Sequence, residues 1–130
     1  MKITQALLDD LTAQAKASPR LRMNRDLRNS PEDQSQRMLN AIEPGSPLPI
    51  HRHPKTSETV VCLRGRLVEE FYSDDGKLVD SIELAPGSDV VGLNIPIGQW
   101  HTVRALESGT VIMEVKDGPY EPTGSEDILE

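Results

Sequence analysis

From residue 44 to residue 118 this chain meets a turn signal about every 8–12 residues, and that cadence restricts it to a fold of short strands. The punctuation is Pro44-Gly45, Arg64-Gly65, Ser73-Asp74-Asp75-Gly76, Ala85-Pro86-Gly87, Pro96–Gln99, Glu107–Gly109 and Gly118-Pro119. The runs between read as strands: Val60–Leu63, Leu67–Tyr72, Leu78–Leu84, Val90–Ile95, Trp100–Ala105 and Thr110–Lys116. Asp75-Gly76 is a hairpin signal, because both residues tolerate the positive φ that a tight two-residue turn demands. Aromatic residues are scarce (one Trp, two Tyr, one Phe), so the core rests on Val, Ile, Leu and Met. β-branched side chains of that kind suit pleated strands.

The first 43 residues are organised differently. Ile3, Leu7, Leu8, Leu11 and Ala15 recur at helical spacing and Ser18-Pro19 ends the pattern, which predicts a helix over 3–17. Its single apolar stripe must lie against the domain or a second subunit. Leu21 and Met23 then alternate with polar residues, a strand pattern. Ser30-Pro31-Glu32-Asp33 reads as a cap and a short helical turn, and residues 37–42 alternate again. The sequence thus predicts one domain over 1–120: a helix to 18, strands and arm over 20–43, and a barrel over 44–118. Residues 121–130 are acidic and aperiodic, and are expected to form a mobile tail.

Net charge is −7, which argues against nucleic acid and anionic membranes as partners. Residues 106–130 hold seven acids and one base, so the excess is mostly C-terminal. A lone Cys62 excludes an internal disulfide, no basic-then-apolar leader is seen, and no apolar run approaches a membrane span. A cytoplasmic protein is the default expectation.

The chemistry sits in two motifs that hold all three histidines. His51 and His53 stand two apart in an extended stretch, which puts both imidazoles on one face. Glu58 follows, and His101 comes after the turn Pro96-Ile97-Gly98. Three neutral nitrogen donors and one carboxylate make a site for one divalent metal with exchangeable positions left open. Without a thiolate the set does not select zinc, and Zn, Fe, Mn and Ni all suit it.

The spacing Gly45-x5-His51-x-His53-x4-Glu58-x6-Gly65 resembles the first motif of the cupin superfamily, and Pro96-x-Gly98-x2-His101 resembles the core of its second. Ala105 stands where that second motif often has Asn. The helix followed by Ser18–Asn24, His51-Arg52-His53-Pro54, Pro96–Thr102 and Glu114–Tyr120 together resemble the WbuC family of cupin-fold metalloproteins. The likeness runs nearly to Tyr120. It implies an all-β double-stranded β-helix, a jelly-roll barrel with a leading helix, with His51, His53, Glu58 and His101 as metal ligands. That family is associated with bacterial polysaccharide gene clusters, so a sugar or sugar derivative is the implied ligand class.

Other residues carry secondary expectations. Arg22, Arg25 and Arg28 lie close together, and Arg22 shares a strand face with Asn24. As a group they are candidates to bind a substrate phosphate or carboxylate, against the plainer reading of a solvated edge or a contact with the acidic tail. Trp100 has the opposite parity to His101 and is expected to pack on the N-terminal helix. Cys62 shares the parity of Glu58 and is expected inside, as a small hydrophobe. Tyr120 is expected to anchor the tail.

The sequence therefore predicts a small metalloenzyme acting on a small polar molecule, an isomerase, epimerase or oxygenase. The alternatives are a non-catalytic metal-dependent binding module and a metal-free sugar epimerase of the same superfamily. With every histidine spent on the metal, no separate general base stands out. A homodimer is expected, because a jelly roll leaves sheet edges that the N-terminal arm can cover or pair.

Overall fold

The computed structural model describes residues 1–129. Helix α1 (Gln5–Ala17) begins at Thr4, whose hydroxyl accepts the Leu7 amide at 3.2 Å. It stops at Ser18, which is extended as a residue preceding proline should be. Ten strands follow: β1 (Arg22–Asp26), β2 (Ser35–Ile42), β3 (Ile50–His51), β4 (Glu58–Arg64), β5 (Leu67–Tyr72), β6 (Leu78–Leu84), β7 (Gly92–Ile95), β8 (Trp100–Ala105), β9 (Thr110–Asp117) and β10 (Ile128–Leu129). They form two five-stranded antiparallel sheets, ordered β1-β2-β9-β4-β7 and β10-β3-β8-β5-β6. This is the expected jelly roll.

Parity divides the layers. On β2, Leu39 and Ala41 face outward and meet Leu8, Leu11 and Ala15 of α1, with Val111 of β9 beside them. The helix stripe therefore packs on this domain's own first sheet. Arg64 fastens it further, donating to Asp9, Gln5 and Thr12 of α1 and to the Gly109 carbonyl. The inward set, Ile42, Val60, Cys62, Leu67, Leu84, Ile95, Ala105 and Ile112, fills the space between the sheets. Cys62 is inside, as its parity predicts.

The turn from β4 to β5 needs a glycine for two reasons. Gly65 has φ 85°, and a Cβ there would come within 2.3 Å of the Thr110 hydroxyl. The β5–β6 hairpin forms where predicted, but over a longer loop closed by the Ser73 amide on the Lys77 carbonyl at 2.9 Å, with Gly76 at φ 81° and Asp75 not at positive φ.

Three expectations are corrected. Ser30-Pro31 starts a plain turn, closed by the Asp33 amide on the Ser30 carbonyl at 3.2 Å, because β2 begins at Ser35 and leaves no room for a helix. Trp100 does not touch α1, since it lies in the second sheet and the helix covers the first. Its ring instead carries the Arg52 guanidinium at 4.4 Å, and its indole N–H donates to Asp74 at 3.0 Å. Most consequentially, the described part of the acidic tail is docked: Ser125–Asp127 form a 3₁₀ turn and β10 pairs with β3. The Arg52–Asp127 pair, invisible to composition, supplies the tie. Among the described residues no helix is long and apolar enough to cross a membrane.

Candidate metal centre

His51 ends β3 and faces His101 of β8 directly across the ladder, with ring centroids 4.3 Å apart. Only His51 of the first pair lies in a strand; His53 follows just after β3, its ring 5.1 Å from His51 and 5.5 Å from His101. One nitrogen from each of the three lies within 4.8 Å of the others. Glu58, first residue of β4 on the opposite sheet, stands at the edge of this group beside His53.

The backbone fixes the imidazoles. His51 Nδ1 lies 3.1 Å from the Pro49 carbonyl and His101 Nδ1 lies 2.8 Å from the Gln99 carbonyl. A carbonyl only accepts, so Nδ1 carries the proton on both rings and Nε2 is left with a free lone pair. Such outer hydrogen bonds are what orient metal-binding histidines. His53 Nε2 is 2.9 Å from Glu58 Oε2, yet among the described residues this buried nitrogen has no hydrogen-bond partner. Free nitrogen donors and a carboxylate beside them fit a divalent cation.

Electrostatics agree. Burial, then the neighbouring His51, lowers the His101 pKa to about 4, and burial lowers that of His51 too, so both rings are neutral at pH 7. Burial pushes Glu58 upward, but the His53 contact and the surrounding imidazoles outweigh it and hold the carboxyl below its usual range.

Sequence reading missed two carboxyls. Glu114 of β9 faces Glu58 and Asn40, and burial together with the Glu58 charge raises it to about 8. Glu69 of β5 is 2% exposed with Oε2 unpartnered, and is raised well above the carboxylate range by burial, Glu58 and Glu114. The signal was available: Glu69 shares the parity of Leu67 and Phe71, and Glu114 that of Ile112. An acid in a core parity position is informative. Three carboxyls turned into one interior need protons or a cation.

The centre opens into a cavity of about 340 Å³ lined by His51, His53, Glu58 and Glu114, with Arg22 and Asn24 on the β1 side. Arg22 donates to the Pro47 carbonyl at 2.6 Å. Arg25 and Arg28 do not line the cavity; Arg28 is folded back in a two-pronged pair with Asp26. Tyr120, Glu121, Thr123 and Ile128 of the C-terminal segment form another part of the wall.

Residues 3–84 match the family described as "Domain of unknown function (DUF6016)". The chain belongs to the DUF6016 family. Over 77 residues, 59% of this DUF6016 chain, it is 31% identical to the TDP-4-oxo-6-deoxy-alpha-D-glucose-3,4-oxoisomerase of Aneurinibacillus thermoaerophilus. The match spans about half of that relative, 52% of its length. Among solved structures, BH2720 from Bacillus halodurans superposes with a TM-score of 0.64 at 22% identity, over 93% of this chain and 86% of its own. The capsular polysaccharide assembling protein CapF from Staphylococcus aureus gives a TM-score of 0.64 at 19% identity, over 82% of this chain and 30% of its own. At these identities the structural likeness shows the fold, a cupin jelly roll.

Proposed function

We propose that this DUF6016 protein is a small cupin metalloprotein: His51, His53, Glu58 and His101 hold one divalent ion at a cavity that takes a small polar metabolite. The observation that carries the reading is the pair of carbonyls, Pro49 and Gln99, that accept from Nδ1–H of two imidazoles and so leave Nε2 free. A sugar derivative is the favoured metabolite class, supported by the sugar oxoisomerase among its relatives. Within the cupins, the stretches Ser18–Asn24, Pro96–Thr102 and Glu114–Tyr120 favour the WbuC family.

A bound ion supplies Lewis-acid polarisation of a carbonyl or hydroxyl pair. The chain supplies the rest. Glu114 lines the cavity beside Glu58, and burial with the Glu58 charge raises it to about 8 in the metal-free site, so it is the carboxyl placed to exchange a proton with a ligand oxygen. Arg22 has no carboxylate partner among the described residues, and with Asn24 presents donors to an anionic or hydroxyl-rich ligand. Edge strand β6 exposes Leu78 and Val79, which supports a homodimer built through a sheet edge.

A second reading is a metal-free isomerase. The His53–Glu58 contact of 2.9 Å favours it, since it places an imidazole and a carboxylate together at the cavity, where a proton can be passed. Elemental analysis after purification and reconstitution with Zn, Fe, Mn and Ni decides between them. About one equivalent per chain is expected; less than about a tenth with every metal overturns the metal reading. Turnover of nucleotide-activated keto sugars by chelated protein would establish the second, and bound metal without turnover on a sugar and keto-acid panel would leave a binding module.

A further inference from the structure

We infer that the C-terminal strap, residues 119–129, is a working part of the metal centre, with Arg52 and Asp127 as positioning residues that couple strap docking to metal binding. This rests on the metal reading above.

Arg52 stands between His51 and His53 in the chain and, unlike them, does not line the cavity. Alternation turns its side chain to the other face. There the guanidinium lies 4.4 Å over the Trp100 ring, and Trp100 immediately precedes His101. Arg52 Nε donates to Asp127 Oδ1 at 2.9 Å, and the Arg52 backbone N–H donates to the Asp127 carbonyl at 3.0 Å. Ile128, next in the chain, pairs with His51. One clamp thus grips the segments that carry all three imidazoles, from the side away from the cavity.

Otherwise the strap is held by single contacts, among them the Gln36 side-chain amide donating to the Pro119 carbonyl at 3.1 Å. Its ladder with β3 is two residues long, and the Lys55–Glu121 pair at 3.5 Å is solvent-exposed. A ladder this short opens easily. Asp127, in contrast, is buried to 9% exposure, and its partner is stacked on an aromatic ring. Removing one member of such a pair is costly, because it leaves the other charge without its partner. Order in His51 and His53 favours the docked strap, and the docked strap orders His51 and His53. By linkage the coupling is the same in both directions.

The test is a calorimetric Co²⁺ titration of the full chain, with visible absorption of the bound ion and amide exchange. Asp127→Ala is expected to weaken Co²⁺ binding about tenfold and to change the Co²⁺ spectrum, as loss of outer-sphere support does. Asp127→Asn gives the same readout should the alanine variant not fold, and Asp127→Glu, which keeps the charge, restores most of the affinity. Reciprocally, saturating Co²⁺ slows exchange of the Arg52 amide in the wild type by a similar factor, and has no such effect in Asp127→Ala. Asp9→Ala, which removes one of the three Arg64 ties to α1, leaves the Co²⁺ affinity and spectrum unmoved. Wild-type affinity and spectrum in Asp127→Ala would overturn the inference. A wild type that binds no Co²⁺ fails the metal reading first, and the inference with it.

Discussion

Along the inner face of β4, Glu58 gives way to Val60 and Cys62; along β8, His101 gives way to Val103 and Ala105. β5 and β9 run the other way, from Leu67 to Glu69 and from Ile112 to Glu114. The same strands therefore build two ends of one interior, one apolar and closed, the other polar and open to the cavity. A sheet ladder is continuous, so the apolar end can set register for residues that contribute nothing to stability themselves. The polar end is then free to hold carboxyls and imidazoles that oppose burial. Stability and chemistry are separated along the barrel axis.

The most severe way to break the polar end is His51→Ala/His53→Ala. Co²⁺ or Zn²⁺ affinity is expected to fall by more than about a hundredfold, while the melting temperature of metal-free protein holds or rises. Calorimetry and thermal scans on chelated protein check both halves; a metal-free variant that melts much earlier would erase the division. The mirror experiment is Leu67→Ala at the fully buried apolar end. A loss of about 2–5 kcal/mol in urea unfolding is expected, with metal affinity of the folded fraction unchanged.

Glu69→Gln probes the boundary. The folded-state pKa of Glu69 lies above the ordinary 4.5, so the native state holds a proton that the unfolded chain releases. Its contribution is fully present below pH 4.5 and is lost as pH rises toward the folded value. Metal-free wild type should lose urea stability over that rise. Glu69→Gln should flatten the slope and gain about 1 kcal/mol at pH 8. Superimposable stability–pH curves would place Glu69 outside the polar end. The smallest effect is expected from Arg25→Ala, which should change stability by less than about 0.5 kcal/mol. Ligand affinity should stay at wild type there, whereas Arg22→Ala should weaken it severalfold.

The comparison also explains what the sequence showed. Wherever a hydrophobic period was intact, elements were legible: Leu67–Tyr72, Leu78–Leu84 and Trp100–Ala105 have the predicted bounds. The fold and the histidine group followed from turn cadence and motif spacing. Glu69 and Glu114 went unread because acids in a strand are ordinarily placed outside, and only the parity of their neighbours contradicts that. The strap went unread for a different reason. Its tie, Arg52 to Asp127, spans 75 residues, and neither composition nor period records such a pair. Trp100 was assigned the correct face and the wrong neighbour, since parity names a side of a sheet but not what covers it.

Cys62 has a practical consequence. It is 3% exposed at the apolar end, its Sγ lies 3.4 Å from the Arg64 carbonyl, and burial raises its pKa. A thiol reagent reacts with the thiolate and must reach it, so labelling waits until β4 parts from its neighbours. The chain consequently carries its own clock for opening. Modification that stays slow while the strap is released would time the two ends of the barrel separately, without an added probe.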